Sequence, residues 1–252
     1  MCELFGMSAR YPTDVNHSLM LLRPRGGEIG PHSDGWGVAF YEGRAARVFK
    51  EPVPAAESGC LAFIGQYRFQ SDIAIAHIRR ANPAAFGRSS ANTHPFEREL
   101  GGRSWVFAHN GKLDGLRDAP MPAPRRFRPI GETDSELAFC LLLDAIAKAA
   151  SGSHTPVHLL IGAIRPLIDR LCGFGEFNFL LSNGEFLLAH AHTHLHALHR
   201  RCCEDGCDQT VCLLATEPLT PENWLPLRGL HAFARGAELS LDAPVSLRDR
   251  VA

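Results

Sequence analysis

Short apolar runs broken by turn residues fill the first half and the last third of the chain, with two helical stretches between them. From Met1 to Ala9 an apolar run closes on the turn Tyr11-Pro12-Thr13-Asp14, and Val15 to Leu22 reads as a short helix. Cys2 opens the first predicted strand. Gly35 to Tyr41 and Ala46 to Phe49 flank Glu42-Gly43-Arg44, a hairpin pattern in which glycine relieves the turn. Ala55 to Phe69 is predicted as helix after Pro54. Ile73 to Arg79 is a β-rich run buried on both faces that ends in charge, and Ser104 to His109 repeats it before breaking at Asn110-Gly111.

Prolines at 120, 122, 124 and 129, interleaved with Arg125, Arg126 and Arg128, make Ala119 to Pro129 an extended loop. Thr133-Asp134-Ser135-Glu136 has capping-box spacing, and the apolar Leu137 to Ala147 continues it as a helix. A second helix is predicted from Pro156 to Leu171. Phe177 to Leu181, Glu185 to Ala189 and Val211 to Ala215 read as strands. No internal repeat is seen. Strands, two central helices and strands again specify an α+β fold of stacked sheets with helices outside, as one domain over residues 1–252.

With 45% hydrophobic residues, 252 residues can bury a full core. A formal charge of −1, from 26 Lys+Arg against 27 Asp+Glu, gives no basic footprint for nucleic acid, so a small-molecule substrate is expected. The start lacks a signal peptide's basic region and apolar stretch, and no run approaches the ~20 apolar residues of a membrane span. A cytoplasmic protein with no membrane partner is expected. The eight cysteines lack Cys-x-x-Cys spacing and are expected as thiols.

Loss of Met1 would place a thiol and a free α-amine on one residue, Cys2. An α-amine titrates near ~8, so it can take the thiol proton at neutral pH, and the pair reads as amide hydrolysis. Three other groups end predicted elements. Attack on an amide creates an oxyanion, which the Asn110 side chain and the Gly111 backbone N–H can hold, each worth on the order of 3 kcal/mol. An amino-acid substrate also presents a carboxylate and an ammonium, which Arg79 and Asp134 can bind. Each residue has a structural alternative: a salt bridge for Arg79, a hairpin turn at Asn110-Gly111, and helix capping by Asp134.

Taken in order, the segments Met1-Cys2-Glu3-Leu4-Phe5-Gly6, Asp34-Gly35-Trp36-Gly37, Ala76-His77-Ile78-Arg79, Asn92-Thr93-His94-Pro95-Phe96, Phe107-Ala108-His109-Asn110-Gly111 and Gly131-Glu132-Thr133-Asp134-Ser135-Glu136 resemble class II glutamine amidotransferases. The resemblance is strongest to the stand-alone YafJ-type proteins, and Phe177-Asn178 and Ala215-Thr216-Glu217-Pro218-Leu219 extend it over nearly the whole chain. It implies an N-terminal-nucleophile (Ntn) hydrolase fold, a four-layer αββα sandwich of two antiparallel sheets, and hydrolysis of glutamine to glutamate and ammonia without a cofactor. By that likeness Cys2 is the nucleophile through a thioester, with Asn110 and Gly111 as oxyanion hole. Arg79 binds the substrate carboxylate, Asp134 the α-amino group, and His94 is a pocket residue. Gly35 and Trp36 are expected near the nucleophile, with a tight hairpin as the alternative. His77 is read as a hydrogen-bonded core histidine.

A retained Met1 would turn the amine into a non-basic amide. The chain ends at about the size of a glutaminase module, so an ammonia acceptor or synthetase subunit is a candidate partner, and a γ-glutamyl peptide or γ-glutamyl amide is the alternative substrate. A further alternative is a non-catalytic binding or metal-binding module, raised by two features. His190, His192, His194 and His196 alternate as on one strand face, yet strand neighbours project in parallel and diverge, which argues against a metal site. Cys202, Cys203, Cys207 and Cys212 match no zinc signature and are expected as inert thiols.

Overall fold

A computed structural model describes residues 2–81, 87–150, 155–202 and 207–241; Met1 and residues 203–206 of the cysteine loop lie outside them. Strand β1 (Glu3–Asp14) leads into helix α1 (Asn16–Leu22), followed by β2 (Gly35–Glu42), β3 (Ala45–Glu51), α2 (Gly59–Tyr67) and β4 (Gln70–Arg79). Then come β5 (Phe96–Glu99), β6 (Ser104–Leu113), α3 (Asp134–Ala149), α4 (Val157–Cys172), β7 (Gly175–Ser182) and β8 (Leu187–Ala191). The described chain closes with β9 (His196–Arg201), β10 (Thr210–Ala215), β11 (Leu225–Pro226), β12 (Gly229–Ala234) and β13 (Ala237–Glu238).

The strands form two antiparallel sheets, ordered β11-β9-β10-β1-β4-β2-β3 and β13-β12-β8-β7-β6-β5. Strand alternation sends successive side chains to opposite faces and so divides the core into three apolar layers. On β1, Leu4 points between the sheets, where it joins Ile75, Ala108, Leu180 and Leu214. Phe5 and Met7 point outward beneath Leu19 of α1 and Ile64 of α2. The outer face of the second sheet packs Phe107, Phe177 and Phe179 against Phe139 of α3 and Ile164 of α4, with Phe107 and Phe139 stacked at 5.2 Å. Helix, sheet, sheet and helix therefore form the αββα sandwich that the resemblance implies.

Several boundaries differ from the sequence pattern. The helix expected from Ala55 starts at Gly59, because extended Ser58 interrupts it and its hydroxyl accepts the Leu61 N–H at 2.9 Å as a cap. The capping box before α3 has one arm: Thr133 Oγ1 accepts the Glu136 N–H at 3.2 Å, but the Glu136 carboxylate turns to Arg98 and the Gly131 N–H. The alternating histidines do not share one strand. β8 stops at Ala191 because Asn178 Oδ1 accepts the N–H groups of His192, Thr193 and His194 and gathers them into a turn. His190 Nδ1 then lies 2.6 Å from the Phe177 carbonyl on the helical side, and His196 Nδ1 lies 2.9 Å from the Thr216 carbonyl. Among the described residues no three His, Cys, Asp or Glu side chains converge as a metal group, and no helix is long and apolar enough to cross a membrane.

Candidate active site

The ends of the two central strand sets meet at one edge of the inter-sheet layer. β4 lies between β1 and β2, and its register pairs Glu3 with Ile78 on one side and Gly35 with Arg79 on the other. One residue beyond Glu3, Cys2 arrives beside the end of β4. Its Sγ accepts the Arg80 N–H at 3.3 Å and donates to the Arg80 carbonyl at 3.4 Å. Leu4, Ile75 and Ala39 place one face of these strands between the sheets, so by alternation Cys2, His77, Arg79 and Gly35 belong to that same face.

Burial pushes the Cys2 thiol above the ordinary cysteine range; the Arg80 backbone and Arg79 charge pull it down, and Asp134 pushes it up. The thiol therefore lies within electrostatic reach of both a guanidinium and a carboxylate. Arg79 is buried and donates to the Asp34 carbonyl at 3.3 Å. Asp34 also accepts the Ala81 N–H at 2.8 Å and pairs with Arg88, tying β2 to the segment around the thiol. Asp134 starts α3, and its two oxygens accept the Leu113 N–H at 2.6 Å and the Ser135 N–H at 2.8 Å. Those bonds lock α3 to the end of β6.

From the opposing sheet, β6 brings Asn110, which shares an acceptor with the N-terminal strand. Thr216 Oγ1 accepts the Leu4 N–H at 2.9 Å and the Asn110 Nδ2–H at 3.2 Å, while the Thr216 N–H donates to the Leu4 carbonyl at 3.1 Å. Asn178 Nδ2 donates to the Asn110 carbonyl at 3.1 Å. Gly111 has φ +152°, and a Cβ there would stand 1.9 Å from the Glu176 carbonyl oxygen, so only glycine fits this place in the β6–β7 ladder.

A wall of neutral histidines lies behind the site. His77 and His94 rings are 4.2 Å apart, and His94 lies 4.5 Å from the Phe96 ring. Gly37 admits this segment, since a Cβ there would meet the His94 carbonyl oxygen at 2.3 Å. Burial holds His77 at about 3 and pushes His94 well below the usual histidine range. His109 is also lowered by burial, against the opposing pull of Asp134. His77 Nε2 lies 3.1 Å from the His109 carbonyl, the hydrogen-bonded core position expected for it.

Cys2, Arg79, Asp134, Asn110, Gly111, Gly35 and His94 thus meet at one end of the sandwich. Trp36 does not join them: β2 turns its indole to the opposite face, into the core under α1 and α2. Its neighbour Gly35 shares the Arg79 row, and a period of two cannot put both on the same side. Asn178 and Thr216 were not singled out as site residues, although Phe177-Asn178 and Ala215-Thr216-Glu217 were among the resembling segments. The sequence signal is a polar residue within or directly after an apolar run, and the structure buries both, at 0% and 4% exposure.

A comparison of the sequence with family profiles matches residues 1–205 to the class II glutamine amidotransferases. The Escherichia coli K12 protein YafJ, named as a candidate glutamine amidotransferase, is 40% identical over 242 residues, covering 89% of this chain and 93% of YafJ. The chain belongs to the class II glutamine amidotransferase family. Among solved structures, a predicted glutamine amidotransferase from Pseudomonas aeruginosa PA01 is 37% identical with a TM-score of 0.73, over 95% of this chain and 100% of that one. The glutamine phosphoribosylpyrophosphate amidotransferase of B. subtilis shares the fold, with TM-score 0.63 at 17% identity, over 94% of this chain and 48% of that one.

Proposed function

We propose that this chain hydrolyses the γ-amide of glutamine through a thioester on Cys2, releasing ammonia to an acceptor. The observation that supports this most is the setting of the thiol: it starts a central strand, lies within reach of the opposite charges of Arg79 and Asp134, and shares the Thr216 bridge with Asn110. With Met1 removed, the Cys2 amine takes the thiol proton and the sulfur attacks the γ-carbonyl carbon. The oxyanion is held by the Asn110 amide and the Gly111 N–H. The protonated amine gives its proton to the leaving nitrogen, which departs as ammonia. Water, deprotonated by the same amine, then cleaves the thioester to glutamate and restores the thiol.

In this reading Arg79 binds the α-carboxylate, Asp134 the α-ammonium through its remaining lone pairs, and His94 and Gly35 shape the wall. Protein whose mature N-terminus is Cys2 should release glutamate from glutamine, and Cys2→Ala should not; equal release by both would end the proposal. Faster turnover of γ-glutamyl dipeptides than of glutamine would keep the nucleophile and change the substrate.

A further inference from the structure

Thr216 stands where the nucleophile strand and Asn110 meet, and its hydroxyl has one proton and two lone pairs. It accepts the Leu4 N–H at 2.9 Å, and Asn110 Nδ2 lies 3.2 Å away. In that arrangement Asn110 Oδ1 is buried with no hydrogen-bond partner, and the Thr216 hydroxyl accepts two bonds and donates none among the described residues. An amide oxygen and nitrogen exchange places on a half-turn of the side chain, and the hydrogen-bond network decides between them. The half-turn gives the hydroxyl proton an acceptor, Oδ1, and moves Nδ2 to the position where an unpaired oxygen stood, so that its N–H groups are left for an incoming oxygen.

We infer that Thr216 is a positioning residue that donates its hydroxyl proton to Asn110 Oδ1 and so turns an Nδ2–H of the amide toward the developing oxyanion. The catalytic consequence rests on the function proposed above; the orientation of the amide does not. The placement of Thr216 is itself fixed from three sides. Its N–H donates to the Leu4 carbonyl, its carbonyl accepts from His196 Nδ1, and its side chain takes the Leu4 N–H. The hydroxyl therefore cannot follow Asn110 if the amide rotates.

Neutron diffraction on crystals of the deuterium-exchanged protein tests the orientation directly, because nitrogen, oxygen and deuterium are told apart. Deuterium on Thr216 Oγ aimed at Asn110 Oδ1 is the expected result; Nδ2 facing Thr216 would overturn the inference. Kinetics test the consequence. Thr216→Val should lower kcat about 100-fold, the size of one lost oxyanion donor, with KM for glutamine within about threefold. Thr216→Ser should regain most of that loss. A Thr216→Val enzyme with parental kcat, or a Thr216→Ser enzyme as slow as the valine variant, would refute a positioning hydroxyl. Equal glutamate release by the parent and Cys2→Ala would instead remove the proposed function, while the neutron map still decides the amide.

Discussion

Replacing Gly111 by alanine should break the junction between β6 and β7, and the size of the effect can be worked from contacts. A φ of +152° costs an L-residue about 1–2 kcal/mol before any contact is counted. The added Cβ would lie 1.9 Å from the Glu176 carbonyl oxygen, whereas carbon and carbonyl oxygen settle no closer than about 3.3 Å, so the strands must part by about 1.4 Å. The obstructing atom is strand backbone, paired with β6 and held by His109 Nε2 at 3.0 Å, which cannot swing away as a side-chain tip would. Losing two ladder hydrogen bonds around Lys112 and Glu176 adds about 1 kcal/mol each. The sum is about 3–4 kcal/mol. Gly115→Ala is the control: its φ is +73°, nothing lies within 4 Å of its Cβ, and strain alone predicts about 1–2 kcal/mol. Urea unfolding followed by circular dichroism measures both, with m values checking that the transition is unchanged. If Gly111→Ala costs no more than Gly115→Ala, the close approach of β7 plays no part in holding the site.

Arg98→Ala should cost about 3–5 kcal/mol in the same assay, because Glu136 is 1% exposed and would keep a buried carboxylate without its guanidinium. Combining Arg98→Met with Glu136→Gln should recover most of it, since the glutamine still accepts the Gly131 N–H; no recovery would contradict the unpaired-charge explanation. Stability should also fall as the pH drops below neutrality. His77 takes up its proton near 6.5 in the unfolded chain and only at about 3 when buried, so between those values the unfolded state binds more protons. That stability is fully present above 6.5, and about 2 kcal/mol of it is lost by pH 5 from His77 alone. Urea midpoints that stay constant from pH 7 to pH 5 would contradict a neutral buried His77.

Much of the sandwich was legible because most of its strands are apolar runs closed by residues that turn, although β1 runs on through Tyr11-Pro12-Thr13-Asp14 and β6 through Asn110-Gly111, where stops were expected. Gly43 at φ +63° joins β2 to β3 where the hairpin was expected, and Thr133 caps α3 as its spacing implied. In the failures, side-chain hydrogen bonds to backbone N–H groups overrode the apolar pattern. Nothing within Ala189 to His196 announces a turn, because the group that makes it is Asn178, on the neighbouring strand, whose one oxygen collects three backbone N–H groups. Pro54 suggested a helix from Ala55 onward, but Ser58 claims the Leu61 N–H and sets the start.

The site was legible as residue types near the ends of elements for Cys2, Arg79 and Asp134, while Asn110 and Gly111 lie within the β6–β7 ladder; the faces were less legible. Asp34-Gly35-Trp36-Gly37 could be assigned to the neighbourhood of Cys2 without knowing which alternate residues turn inward, and a shift of one position exchanges the two faces. Leu4 and Ile75 settle that register by lying between the sheets, which puts Gly35 in the Arg79 row and sends Trp36 into the outer core. The same alternation explains why the small residues fall on the inner side. Gly35 and Gly37 leave room there for Thr93 and His94, whose atoms a side chain on β2 would strike. A large residue at position 35 or 37 would strike Thr93 or His94, whereas tryptophan at 36 on the outward side packs under α1 and α2. One strand thus serves the site with Gly35 and Gly37 and the outer core with Trp36, and the two requirements fix its register together.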